Sequence, residues 1–230
     1  MLSNIYLTPY DKELEKRGHK FVRYADDCNI FTKSKYSARR VKDSVIRFLE
    51  GKMKLKVNME KTEARRAVGS SFLGFTFINT KMKGGLGYCR PKEKKLKAFV
   101  AKIRAILKRN RGVSIERIVA ELNAFIRGWI NYYALGSMKK VMADVDAHLR
   151  TRLRVIIWKQ WKVPKKRQWG LQKLGIGKDL ARMTAYCGDR YYWVATKTCV
   201  VRAISKGILE KAGLISCLDY YNERHALKLC

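Results

Sequence analysis

The sequence predicts an α+β chain in two parts: an antiparallel hairpin sheet with covering helices to about residue 90, then a region built from helices alone. Two patterns predict it. Short β-branched and aromatic runs alternate with helical spacing before Pro91, and from residue 92 the apolar period becomes that of long helices. With 230 residues, 47% of them apolar, there is enough material for a buried core in one or two domains.

Residues 4 to 17, with Ile5, Leu7, Tyr10, Leu14 and a basic last turn, read as a short amphipathic helix with Gly18 as the stop. Phe21 to Tyr24 and Asn29 to Thr32 read as two strands, and Ala25-Asp26-Asp27-Cys28 between them reads as a hairpin turn with both aspartates at the tip. A helix follows over 37 to 50, with Val41, Val45, Ile46, Phe48 and Leu49 apolar and Arg39, Arg40, Lys42 and Arg47 opposite. Leu55 to Asn58 alternates, Thr62 to Arg66 is extended and polar, and Phe72 to Phe77 reads as one strand containing Gly74. Gly84-Gly85-Leu86-Gly87 reads as a loose turn.

Leu96, Phe99, Val100, Ile103, Ile106 and Leu107 form one face of a helix that Gly112 is expected to end. Ser114 is the expected cap of a second helix through Trp129, and Ser137 of a third through Leu153, stopped by Pro164. The last 60 residues carry short helical patterns over Val200 to Leu209 and Cys217 to Leu227, with the aromatic run Tyr191-Tyr192-Trp193. The expected division is 1–90, 91–165 and 166–230.

Lys and Arg number 51 against 19 Asp and Glu, a formal charge of +32, which points to a polyanionic partner. Residues 92–111 carry nine Lys/Arg and one Glu, and residues 150–167 carry eight and no acid. Like charges one helical turn apart repel, so single-sign clustering calls for a cause outside the chain, and neutralised phosphates supply one. The expected contacts are Lys94, Lys95, Lys97, Arg150, Arg152, Arg154, Lys159, Lys162, Lys165, Lys166 and Arg167. Trp129, Tyr132, Tyr133, Trp158, Trp161 and Trp169 interleave with this charge; each is either a core anchor or a stacking surface for an unpaired base, and as a set they suit RNA better than duplex DNA.

Six cysteines at 28, 89, 187, 199, 217 and 230 form no CxxC pair, so zinc is not expected and the thiols are expected to be reduced. No run approaches the roughly 18 to 20 apolar residues of a membrane span, and no basic-apolar signal pattern opens the chain; a cytoplasmic protein with no membrane partner is expected.

Asp26 and Asp27 are adjacent carboxylates in an acid-poor chain. At about 5 Å their repulsion is below 1 kcal/mol in water but about 3 kcal/mol at an effective dielectric near 20, so a half-buried pair calls for a cation, and magnesium is one that carries phosphoryl chemistry. A plain hairpin turn is the competing reading.

Phe21-Val22-Arg23-Tyr24-Ala25-Asp26-Asp27, then Asn58-Met59-Glu60-Lys61-Thr62, then Phe72-Leu73-Gly74-Phe75 closely resemble, in order, the later palm motifs of group II intron reverse transcriptases. Gly128 to Tyr133 and Arg152 to Lys162 resemble the thumb or maturase-specific region of the same intron-encoded proteins. Trp169 to Leu174, Tyr191 to Ala195 and Leu218 to Tyr221 continue the likeness. The resemblance implies a partial palm over 1–90, a helical thumb/maturase domain over 91–165 and an extension of it over 166–230. It implies RNA-directed DNA synthesis and assistance of intron splicing.

By the same resemblance Asp26 is the principal Mg2+ ligand, Asp27 stands beside it, Tyr24 lines the nucleotide site, Lys61 lies near the incoming phosphates, and Phe72, Leu73 and Gly74 belong to the hairpin that grips the primer. The basic helices would hold the template-primer and the intron RNA. The family's polymerase site uses a further aspartate and fingers residues that precede these motifs; the acids before Asp26 here are Asp11, Glu13 and Glu15. The chain therefore reads as a C-terminal portion, expected to be inactive alone and to need a separate N-terminal fingers/palm fragment for polymerisation. A stand-alone RNA-binding splicing factor, or a general basic RNA-binding protein, remains the alternative.

Overall fold

A computed structural model describes residues 2–79 and 87–229. The chain forms two compact units, Met1–Cys89 and Arg90–Cys230, the first mixed and the second helical. The expected turn at 84–87 lies, but for Gly87, outside the described residues.

In the first unit, α1 (Leu2–Lys16) ends as the Gly18 reading requires: Gly18 has φ 68°, its N–H donates to Glu15 O, and the His19 N–H donates to Leu14 O. β1 (Lys20–Tyr24) pairs antiparallel with β2 (Asp27–Phe31), Phe21 facing Ile30 and Tyr24 facing Asp27. Ser34 caps α2 (Lys35–Gly51), its hydroxyl accepting from the Ser37 N–H. The core joins Tyr10 and Leu14 of α1 to Val45 of α2 and to Met53, with Phe21, Cys28 and Ile30 packed against them. Alternation along the hairpin thus turns Phe21, Arg23, Cys28 and Ile30 inward and Tyr24 and Asp27 outward.

The run Phe72 to Phe77 is not one strand. β3 (Ser71–Phe72) and β4 (Phe75–Ile78) are the arms of a tight hairpin, and Leu73 and Gly74, at φ 50° and 80°, make its two-residue turn. β5 (Tyr88–Pro91) completes a sheet of order β3-β4-β5.

In the second unit α3 (Glu93–Ile106) stops well before Gly112, because Arg111 folds back to donate to the Ile106 carbonyl and pairs with Glu121. Ser114 caps α4 (Ile115–Tyr133), accepting from the Arg117 N–H. Ser137 does not cap α5 (Lys139–Gln160); the cap is Met138, whose N–H is taken up by the Tyr221 hydroxyl. Pro164 opens α6 (Pro164–Lys173) at a position where its missing N–H costs nothing. Then come α7 (Lys178–Ala185), α8 (Tyr191–Thr196), α9 (Thr198–Ala203), α10 (Lys206–Lys211) and α11 (Cys217–Leu229). The pattern read over Val200 to Leu209 is therefore two helices, α9 and α10. Packed between α8 and α11, α5 is buried continuously from Leu153 to Ile156.

Candidate functional site

The hairpin turn is tighter than the sequence reading. Only Ala25 and Asp26 form it; Asp27 is the first residue of β2, across from Tyr24, and Cys28 pairs with Arg23. Asp26 and Asp27 are both exposed, and Tyr24 is 64% exposed. Ala25 sits at φ 52°, a conformation that costs an alanine roughly 1–2 kcal/mol.

Arg23 holds that strained turn. Its Nε and Nη2 donate to the two carboxylate oxygens of Asp11 on α1 at 2.7 and 2.5 Å, and its Nη1 donates to Ala25 O at 2.7 Å and to Asn4 Oδ1 at 3.0 Å. The hydrogen bond to Asp11 raises the Arg23 pKa further. Beneath, the Tyr10 hydroxyl donates to Cys28 Sγ, and burial pushes the pKa of both groups up. Two of the acids preceding Asp26 are thus engaged elsewhere: Asp11 by Arg23, and Glu13 by Arg17. Arg23→Lys keeps the charge but cannot reach all four acceptors; we expect the first unit to lose about 2 kcal/mol, read as an earlier urea midpoint. An unchanged midpoint would show that the fork carries no weight.

Asn58 explains how Lys61 is presented. Its Oδ1 accepts from the N–H groups of Glu60 and Lys61, and its carbonyl accepts from the Thr62 hydroxyl, which folds 58–62 into a turn with Lys61 exposed. Leu73 and Gly74 lie at the tip of the second hairpin, beside Phe72. Among the described residues no group of three or more His, Cys, Asp or Glu side chains is placed to hold a metal ion. Asp26 and Asp27 do suit Mg2+ as a donor set: hard, exposed carboxylates of the one or two the ion takes while keeping waters.

In the helical unit Lys94, Lys95 and Lys97 are exposed on α3, Lys97 beside Glu93. Lys162, Lys165 and Lys166 are exposed; Lys159 donates to Asn110, Arg152 reaches Leu107 O, and Arg150 is half-buried. Arg154 and Arg167 correct the sequence reading. Arg154 is 7% exposed and donates to Ile204 O, and burial lowers its pKa. Arg167 is 3% exposed, lies over the Trp158 ring, and binds Gly188 O and Asp189, whose carboxyl its hydrogen bond holds below the usual range. Both guanidiniums are spent inside the fold.

Trp158 is fully buried, and the half-buried Trp129 stacks on Phe99 and lies tilted against Tyr133, so both rings are used in packing. Sequence reasoning missed Arg23 and Asn58. The strand alternation that turns Phe21 inward does the same to Arg23, and an inward arginine calls for an acid. No helix among the described residues is long and apolar enough to cross a membrane. The described cysteines are free thiols.

Comparison with protein families agrees with both halves. Residues 1–77 match the reverse transcriptase (RNA-dependent DNA polymerase) family, and residues 96–175 match the group II intron maturase-specific domain. No curated protein matches the chain. With a hairpin bearing Asp26 and Asp27 in the first match and a basic helical unit in the second, the chain belongs to the group II intron reverse transcriptase/maturases.

Proposed function

We propose that this chain serves RNA-directed DNA synthesis and intron splicing, with Asp26 and Asp27 as Mg2+ ligands and the helical unit as the surface for intron RNA and template-primer. The observation that carries the reading is the hairpin: a strained turn, held by Arg23, that exposes two carboxylates beside Tyr24. Bound there, Mg2+ supplies charge neutralisation to nucleotide phosphate oxygens. Asp26 is the main ligand and Asp27 assists, Tyr24 lines the nucleotide site, Lys61 attracts the incoming phosphates, and Phe72, Leu73 and Gly74 bear on the primer. Among the described residues no third acid joins Asp26 and Asp27 in a cluster that could hold a metal ion, so residues 1–230 alone do not polymerise and fingers and palm elements from outside them complete the site. The setting is the cytoplasm, where thiols stay reduced.

Lys94, Lys95, Lys97, Arg150, Arg152, Lys159, Lys162, Lys165 and Lys166 make the RNA-binding set. The test is binding to a structured group II intron RNA between about 50 and 200 mM salt, with primer extension on an RNA template followed in the same samples. Tight, salt-sensitive binding without extension is the expected result. Replacing Lys94, Lys95, Lys165 and Lys166 by glutamine lowers the salt slope by about 0.7 to 0.9 per lost contact, up to about a thousandfold in affinity near 0.1 M. An unchanged slope would mean that RNA lies elsewhere. Extension by the chain alone would overturn the need for a second fragment.

A further inference from the structure

Helix α6 is seated through one face. Gly170 lies against the Trp161 indole, where a Cβ would come within 2.6 Å of ring atoms; Leu171 is fully buried; and Arg167 is buried over Trp158. Positions 167, 170 and 171 share one side of a helix, so the rotation of α6 about its axis is fixed. Lys165, Lys166, Trp169 and Lys173 are left exposed.

Trp169 is 57% exposed, whereas Trp158 is buried and Trp129 and Trp161 are half-buried, the first stacked on Phe99 and the second against Gly170. An indole in water forgoes the stabilisation that burial gives its large apolar area. Here it has lysines one turn to either side, Lys165 and Lys173, and the Lys173 ammonium lies 4.9 Å from the ring centroid. No Asp or Glu occurs from residue 147 to residue 178. An apolar ring face framed by cations matches a nucleotide: a base to stack and phosphates on either side to neutralise. A paired base within a duplex offers no such face.

We infer that Trp169, with Lys165, Lys166 and Lys173, is a stacking platform for an unpaired base of single-stranded RNA. The inference rests on the RNA-binding reading above and specifies which RNA the α6 face takes. Stacking is indifferent to base identity, so the platform prefers single strands without choosing a sequence. The lysine now over the ring is free to swing to a phosphate when a base arrives.

The experiment measures binding of the full chain to an unstructured oligoadenylate of roughly a dozen nucleotides and to an RNA duplex of similar length. Trp169→Ala is expected to weaken the single strand about tenfold and the duplex by less than about twofold, with the salt slope unchanged because no phosphate contact is lost. Trp169→Phe keeps a ring and retains most of the affinity. Lys165→Gln with Lys173→Gln lowers the single-strand salt slope by about 1.4. Oligoadenylate quenches tryptophan emission in the parent chain, and a smaller fraction in Trp169→Phe. Because the side chain is exposed, the urea midpoint of Trp169→Ala should stay near the parent's, and the phenylalanine variant reads the same platform if it does not. An equal loss on both RNAs, or no loss, overturns the platform and leaves RNA binding standing. Failure of the parent chain to bind either RNA overturns both.

Discussion

Asp26→Asn is expected to lower primer extension at least about a hundredfold when the chain is combined with a polypeptide supplying the rest of the palm and the fingers. The amide has the carboxylate's shape and none of its charge, so the change isolates the ionic contribution to metal binding. Asp26 is exposed at a turn whose backbone is held by Arg23 and not by its own side chain. Stability should therefore stay within about 0.5 kcal/mol. RNA affinity, which we assign to the helical unit, should stay within about twofold. Asp27→Asn should cost less, in keeping with its assisting part. Manganese, used as a paramagnetic stand-in for magnesium, should broaden the amide resonances around Ala25 and Asp26 in the parent chain and not in Asp26→Asn. Undiminished extension in Asp26→Asn would remove the hairpin from the chemistry altogether.

The hairpin was legible because its two strands are β-branched and aromatic and the residues between them small and polar. Its turn is narrower than the sequence suggests because nothing in Ala25 announces a positive φ; the side chain that holds the turn, Arg23, belongs to the strand before it. Boundaries in the helical unit failed for a related reason. Gly112 and Ser137 are good local stop and start signals, but the Arg111 side chain takes up the Ile106 carbonyl before Gly112 is reached and Tyr221, far along the chain, takes up the Met138 N–H, and propensity gives way to such contacts. Nothing in the basic run itself separates Arg150 and Arg152 from Arg154. Only the packing of α5 between α8 and α11 shows that the third is swallowed, with the Ile204 carbonyl as its partner. Charge composition points to a polyanionic partner and does not say which cations are left exposed to meet it.

The same long-range capping underlies the largest stability effect. Asp146, on α5, is 5% exposed, and its carboxylate accepts from the Cys217 and Leu218 N–H groups at 2.7 and 3.0 Å and from the Ser216 hydroxyl at 2.9 Å. Cys217 and Leu218 open α11, so the carboxylate satisfies two donors that no helix can satisfy for itself, at the end where the helix dipole favours an anion. Asp146→Ala strands all three donors and should cost the helical unit about 3–5 kcal/mol, a large share of an ordinary domain's stability. Asp146→Asn keeps one acceptor and should cost roughly half as much. All five tryptophans lie in the helical unit, so their emission during urea unfolding reports on that unit alone. A loss below about 1 kcal/mol for the alanine variant would mean that the cap is dispensable. α11 lies beyond the segment that matches the maturase-specific family, yet it closes over α5, with the Tyr221 hydroxyl donating to Gly136 O. The contrast with the exposed lysines is then diagnostic. Neutralising lysines should take RNA binding and spare stability, whereas Asp146→Ala should lower both, its RNA affinity recovering where added osmolyte refolds the unit.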